Sequence, residues 1–332
     1  MKRRAVWLLT LALVGAASAP AAAYLKLGSR VGTQTLTLKW PRMPIRYFVT
    51  DRGATAVTSQ QLQQTVMRAF ATWDAVSTAS LSSEFAGFTA ATPRGGDGAT
   101  VIGFQSRPEL DRTLGATSFI VDTTNGDIVE SDIFFNSAFA WSVAPQGDAS
   151  GFDLESIALH EIGHLHGLGH SALGETELRS GGRRVIAAES IMFPIAFSPG
   201  SVAFRTLRAD DIAGISDLYP ASGFLRQSGS ISGKVTKNGA GVLGAHIVAF
   251  NPRTGGLVAG FSLSADGAFV IAGLEPGPHI LRVEPLDDAD VDSFLDLTLG
   301  VDVDFRVKFY EKLVVVPRGG GTSKIEIKVV PK

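Results

Sequence analysis

The stretch HEIGHLHGLGH, residues 160–170, holds four of the six histidines in a chain of 332 residues. On a helix, His160 and His164 project from one face, and Glu161 turns toward the same cleft. Gly167 can adopt a left-handed backbone and end the helix abruptly, which returns His170 toward the pair. Neutral imidazoles grouped in this way suit zinc. Three protein ligands leave a fourth position for water, the mark of a catalytic rather than a structural site. A helix of buried, hydrogen-bonded histidines would gain nothing from this spacing without a metal. His166 stands about 200° around the helix from His164; it is read as a non-ligating histidine, hydrogen-bonded behind the ligands or partly buried.

The residue types fit a hydrolytic reaction. Zinc lowers the pKa of bound water from 15.7 to about 7 and polarises a carbonyl. Glu161 is placed to accept a proton from that water and return it to the leaving amine, a role that contributes roughly 10²- to 10⁴-fold. Downstream, SIMFP brings Met192, followed by Pro194 and Ile195. The run H-E-x-x-H-x-x-G-x-x-H with a later methionine turn is far more specific than H-E-x-x-H alone.

Around this centre the chain divides in two. TSQQLQQTVMRAFATWDAV places Leu62, Val66, Ala69, Phe70, Trp73 and Val76 on one helical face, and Thr58 with Gln61 forms a capping-box pattern. IRYFVT and TVIGF read as strands. Asn125-Gly126 reads as a hairpin turn between two β-rich runs. Asp153 is a plausible N-cap for the histidine-bearing helix, and RADDIAGISDLY predicts a third helix. Residues 221–229 read as a linker, and residues 230–332 as short strands broken by Gly, Pro, Asn and Asp, an all-β sandwich pattern. His246 and His279 fall in those strands and read as structural.

The composition narrows the classes. Cysteine is absent, which excludes disulfides, thiol catalysis and cysteine-bearing metal sites, and a net charge of −2 gives no reason to expect nucleic acid. Residues 1–23 combine a basic start, a short apolar run and an Ala-x-Ala site before Tyr24, the form of a secretory signal peptide. The expected location is therefore extracellular, with periplasmic or cell-surface retention as variants. After signal cleavage no membrane span is expected, and the chain is read as a monomer.

These motifs resemble the matrixins, the metzincin zinc peptidases that include the matrix metalloproteinases. RAFATWDAV is similar to their first helix, LRADDIAGISDLYP to the last, WPRMPIRYFV to the opening strand of bacterial members, and Ser171 to the residue after their third histidine. The resemblance covers about residues 40–220 and assigns residues 24–220 to a peptidase domain. It implies an α+β fold, a mixed twisted sheet with three helices, divided by a substrate cleft. It also implies that His160, His164 and His170 hold the catalytic Zn²⁺, that Met192 lies beneath it, and that Glu161 is the base. Leu114, Gly115, Ala116, Thr117 and Ser118 would form the edge strand that pairs with an extended peptide, and Pro194 with Ile195 a pocket wall. The expected activity is hydrolysis of peptide bonds in extended polypeptides. Calcium (Ca²⁺) is a second cation that Asp122, Asp127, Glu130 and Asp132 could hold.

Departures are visible as well. No histidine precedes His160, so the second zinc of vertebrate members has no ligands here, and no thiol can latch the metal. Where matrixins often carry tyrosine, two residues after Pro194, this chain has Ala196 with Phe197 next, and the insert GETELRSGGRR precedes Met192. The C-terminal unit resembles carboxypeptidase regulatory-like, or transthyretin-like, domains. That likeness leaves a different class open: a silent surface-binding protein in which the sandwich does the work.

Overall fold

The amphipathic pattern after Thr58 becomes helix α1, Ser59–Asp74. Its capping box is formed: Gln61 N–H donates to Thr58 Oγ1 at 3.2 Å, and Thr58 N–H to Gln61 Oε1 at 2.9 Å. Leu62, Val66, Ala69, Phe70 and Trp73 are buried along one face, each of the larger side chains stabilising the fold by about 1.5–3 kcal/mol. In this computed structural model the described residues are 25–31, 34–180 and 182–332; the proposed signal segment 1–23 and Tyr24 lie outside them.

Helix α1 packs beside a five-stranded sheet and against α2, Leu154–Leu165. The strand order is Ser83–Thr89, Ile45–Thr50, Val101–Gln105, Ile128–Asn136, Gly115–Val121. The first four run parallel, and Gly115–Val121 is the antiparallel edge. The turn at Asn125-Gly126 joins the last two in sequence, with Gly126 at φ 83°. Helix α3, Ala209–Leu218, closes this N-terminal unit. The insert after His170 is a β-hairpin, Gly174–Arg179 paired with Gly182–Ala188.

The stretch read as a linker holds one helical turn, Phe224–Gln227. Beyond it the chain forms two small sheets. In one, Gly229–Lys237 lies between Ala268–Leu274 and Gly321–Val329. In the other, His246–Phe250 lies between Leu257–Phe261 and Gly277–Glu284. Ile231, Val235, Phe269, Ile327, Ile247, Leu281 and Val283 fill the core they share. Alternation along Gly277–Glu284 places every second side chain inside. His246 and His279 are buried, each with Nδ1 hydrogen-bonded, to Glu284 Oε1 and Gly277 O respectively.

The two units share packed surface. Leu25 and Ala172 join Phe261, Leu286, Phe294 and Leu295 in one apolar cluster, and Leu173 packs with Val248 and Ala259. The Ala259 N–H donates to Asp210 Oδ1 at 2.9 Å, tying α3 to the C-terminal unit. Among the described residues, no helix is long and apolar enough to cross a membrane.

Candidate metal centre

Helix α2 begins at Asp153, whose carboxylate accepts the Ser156 N–H at 2.9 Å and pairs with Arg205. The helix ends beyond Leu165. There Gly167, at φ 101°, lies so close to Leu38 O that a Cβ would collide with it. That turn brings His170 back over α2. Ligand nitrogens of His160, His164 and His170 lie within 4.8 Å of one another, forming the metal-ligand cluster found among the described residues.

Each ring is oriented by a backbone carbonyl. His160 Nδ1 lies 2.7 Å from Ile191 O, His164 Nδ1 2.8 Å from Leu168 O, and His170 Nδ1 2.6 Å from Ser293 O. A carbonyl can only accept, so each Nδ1 carries the hydrogen and each Nε2 keeps its lone pair. His164 Nε2 and His170 Nε2 stand 3.1 Å apart. Two lone pairs facing at that distance favour a cation between them, and the separation approaches the roughly 3.3 Å tetrahedral edge implied by zinc–nitrogen bonds of about 2.0–2.1 Å. Burial, with a neighbouring imidazole, lowers His160 to a pKa of about 3; burial first lowers His164 and His170 as well. All three are neutral at neutral pH, the state a ligand needs. The donor set therefore fits zinc.

Glu161 is buried, and burial raises its pKa to about 7 against the opposing Thr117 hydrogen bond. Thr117 Oγ1 donates to Glu161 Oε2 at 2.7 Å. Thr117 belongs to the edge strand, which also carries Gly115, Ala116 and Ser118, with Leu114 immediately ahead of it. Among the described residues this strand pairs on one side only, with Ile128–Asn136. The Asn136 side chain shapes its entry: Nδ2 faces the carbonyls of Arg107, Leu110 and Thr113 at 2.8, 3.1 and 3.1 Å.

Met192 is 2% exposed, and its Sδ occupies the space a Cβ at Gly163 would need. Its turn is held by Asp211 of α3. Asp211 Oδ1 accepts the Ser190 hydroxyl at 2.5 Å, Oδ2 accepts the Ile191 N–H at 3.1 Å, and Ser190 Oγ accepts the Met192 N–H at 3.1 Å. Ile191 then orients His160. Asp210 accepts the Ser171 hydroxyl at 2.6 Å. The pair Asp210-Asp211 resembled an ordinary acidic first turn in sequence; only its serine partners, distant along the chain, reveal its role. Pro194 and Ile195 are half-buried just beyond Met192. Phe197 packs tilted against Phe204, with ring centroids 4.5 Å apart and ring planes at 54°.

One expectation needs correction. His166 is fully buried rather than partly exposed, and neither ring nitrogen has a hydrogen-bond partner. It sits edge-on among Phe70, Trp73 and Tyr219, and burial lowers its pKa to about 3. Glu130 and Asp132, named from the sequence as possible calcium ligands, already have partners within the protein. They are 3% and 2% exposed, and their oxygens accept the N–H groups of Arg94, Gly95, Gly96, Gly98 and Val101. Asp122 and Asp127 stay in the turn, where Asp122 accepts from Thr124 and Asp127 from Asn125.

Comparison with known proteins covers the same region. Metalloendoproteinase 1-MMP of Arabidopsis thaliana is 29% identical over 201 residues, 57% of this chain and 46% of that protein. Metalloendoproteinase 1 of Glycine max is 46% identical over 70 residues, 21% of this chain and 18% of its own. The chain thus spans less than half the length of these curated relatives. The solved Bacillus anthracis TIE protein aligns with 32% of this chain and 17% of its own at 18% identity and a TM-score of 0.21, too slight an overlap to bear on the fold. The matrixin family model (Peptidase_M10) matches residues 39–220, more than half of the 332, and the chain belongs to the matrixin family.

Proposed function

We propose that this protein is an exported zinc-dependent metalloendopeptidase that hydrolyses peptide bonds in extended polypeptides. The observation that carries the reading is the convergence of three imidazoles, each with Nδ1 committed to a carbonyl, beside a buried Glu161 held by Thr117. His160, His164 and His170 would hold the metal. Zinc bound there supplies Lewis acidity to the scissile carbonyl and acidity to water. Glu161 takes a proton at its carboxylate and returns it to the departing amine, and its raised pKa of about 7 matches that two-way exchange. The one-sided edge strand offers backbone groups to an extended peptide, and Pro194 and Ile195 border the adjoining pocket. Met192 underlies the histidines as an apolar floor.

The charge-to-amide contacts of Glu130 and Asp132 favour a structural role for them without invoking calcium. Residues 24–220 would form the peptidase domain and residues 230–332 a β-sandwich. The buried base beside the ligands weighs against a silent binding protein, because a structural metal needs no such carboxylate.

The test compares the full chain with Glu161→Gln on a general protein substrate, with and without a chelator, while measuring bound zinc. The variant is expected to lose at least about 10²-fold in kcat while keeping one zinc. Equal turnover in both proteins, or a wild-type chain that binds no zinc, rejects the reading.

A further inference from the structure

The three ligand histidines are oriented by carbonyls from very different places. Those for His160 and His164 are Ile191 and Leu168, both in the N-terminal unit. The carbonyl for His170 is Ser293, 123 residues along the chain in the C-terminal unit. We propose that the segment Asp287–Leu295 of the C-terminal unit is a built part of the metal centre, with the Ser293 carbonyl positioning His170 so that its Nε2 faces the other two ligands. This inference rests on the reading of the three histidines as metal ligands.

The segment is held from both sides. Val291–Ser293 is a single 3₁₀ turn, closed by the Ser293 N–H to Asp290 O at 2.8 Å. Immediately after it, Phe294 and Leu295 are buried in the cluster that includes Leu25 and Ala172 of the N-terminal unit. Ile195, read above as a pocket wall, packs against this cluster too. Polar contacts fix the other end. Thr176 Oγ1 donates to Asp288 O at 2.6 Å, its N–H to Asp288 Oδ1 at 3.0 Å, and Arg183 Nη1 to Asp287 O at 3.0 Å. The hairpin inserted after His170 thus has a structural purpose: it grips the segment whose carbonyl orients His170.

A carbonyl on the distal nitrogen fixes the tautomer and ring direction of a ligand histidine, and losing such a partner commonly costs about 10- to 100-fold in metal affinity. Ser293 is therefore a positioning residue acting through its backbone. The C-terminal unit, on this view, sets how firmly the metal is held as well as packing beside the cleft.

The test uses the full chain. Ser293→Pro removes the N–H that closes the turn and bars Asp292 from its helical conformation, displacing the carbonyl. Ser293→Ala leaves that carbonyl in place. Zinc affinity by chelator competition is expected to fall about 10- to 100-fold in Ser293→Pro and to change by less than about twofold in Ser293→Ala. The visible spectrum of the cobalt(II)-substituted protein should shift only in the proline variant, and unfolding of the metal-free chain reports any general damage. A second measurement needs no variant. In zinc-loaded, ¹⁵N-histidine-labelled protein, the His170 Nδ1–H should exchange with solvent as slowly as those of His160 and His164. Unchanged zinc affinity in Ser293→Pro, or fast exchange at His170 alone, overturns the inference while leaving the peptidase reading intact. A wild-type chain that binds no zinc overturns both.

Discussion

Two sides of the candidate metal centre are built by different means. On the α2 side, His160 and His164 share a helix, and the carbonyl serving His164 lies four residues away at Leu168. On the opposite side, His170 leaves a glycine turn and meets a carbonyl from the far end of the chain. The same bond, an imidazole N–H to a backbone oxygen, is reached once through the tight turn that ends α2 and once by packing two units together. A local arrangement survives whatever the distant chain does, whereas the second depends on every contact that docks the C-terminal unit.

The Met-turn side can be broken most severely at Asp211. Its replacement by Ala leaves the Ser190 hydroxyl and the N–H groups of Ile191 and Arg208 without their acceptor. Each buried donor so orphaned costs about 1–3 kcal/mol, and a loss of roughly 3–5 kcal/mol is expected in urea unfolding, with weaker zinc binding because Ile191 orients His160. A loss below about 1 kcal/mol would mean that the Met-turn is held some other way.

A smaller effect is expected at Gly163→Ala. The new Cβ collides with Met192 Sδ and crowds Trp73 Cζ2. Overpacking costs about 1–3 kcal/mol, offset in part by the roughly 1 kcal/mol helix preference of Ala over Gly. Thermal unfolding should show a net loss of up to about 2 kcal/mol; a gain would show that Met192 can move aside.

Thr117→Val tests the edge strand without touching either set of imidazole contacts. It removes the hydroxyl that holds Glu161 Oε2, and kcat should fall about tenfold, near 1.4 kcal/mol, with zinc content unchanged. Loss of zinc in this variant would couple the base to the ligands more tightly than the hydrogen bonds imply.

The smallest change belongs to Arg112→Ala. Arg112 reaches Asp290 at 3.7 Å, with side chains 81% and 56% exposed. Exposed pairs contribute about 0–1 kcal/mol, so stability and zinc affinity should stay within about 0.5 kcal/mol of wild type. A large loss of zinc affinity would show that this ion pair, rather than Phe294 and Leu295, docks the segment.

Much of the site was legible because its chemistry is periodic. The i, i+4 histidines, the Thr58 and Asp153 caps and the Asn125-Gly126 turn all follow from short-range rules. The illegible part is long-range. Asp211 lies twenty-one positions from Ser190, and Glu130 thirty-four from the Gly96 amide it accepts. The full burial of His166 is illegible for the same reason: its aromatic surroundings, Phe70 and Trp73 of α1 and Tyr219 after α3, assemble only when separate segments meet.

From the sequence alone came the histidine trio, the carboxylate beside it, the methionine turn, the helices that carry them and the change of character beyond residue 220. Each is encoded by residue type at fixed local spacing, where backbone geometry leaves few choices. Tertiary structure alone decided which carbonyl orients His170, what anchors the Met-turn, and where the buried acids spend their oxygens. Those choices belong to backbone groups and burial, and a carbonyl has no identity in a sequence until folding brings a donor to it.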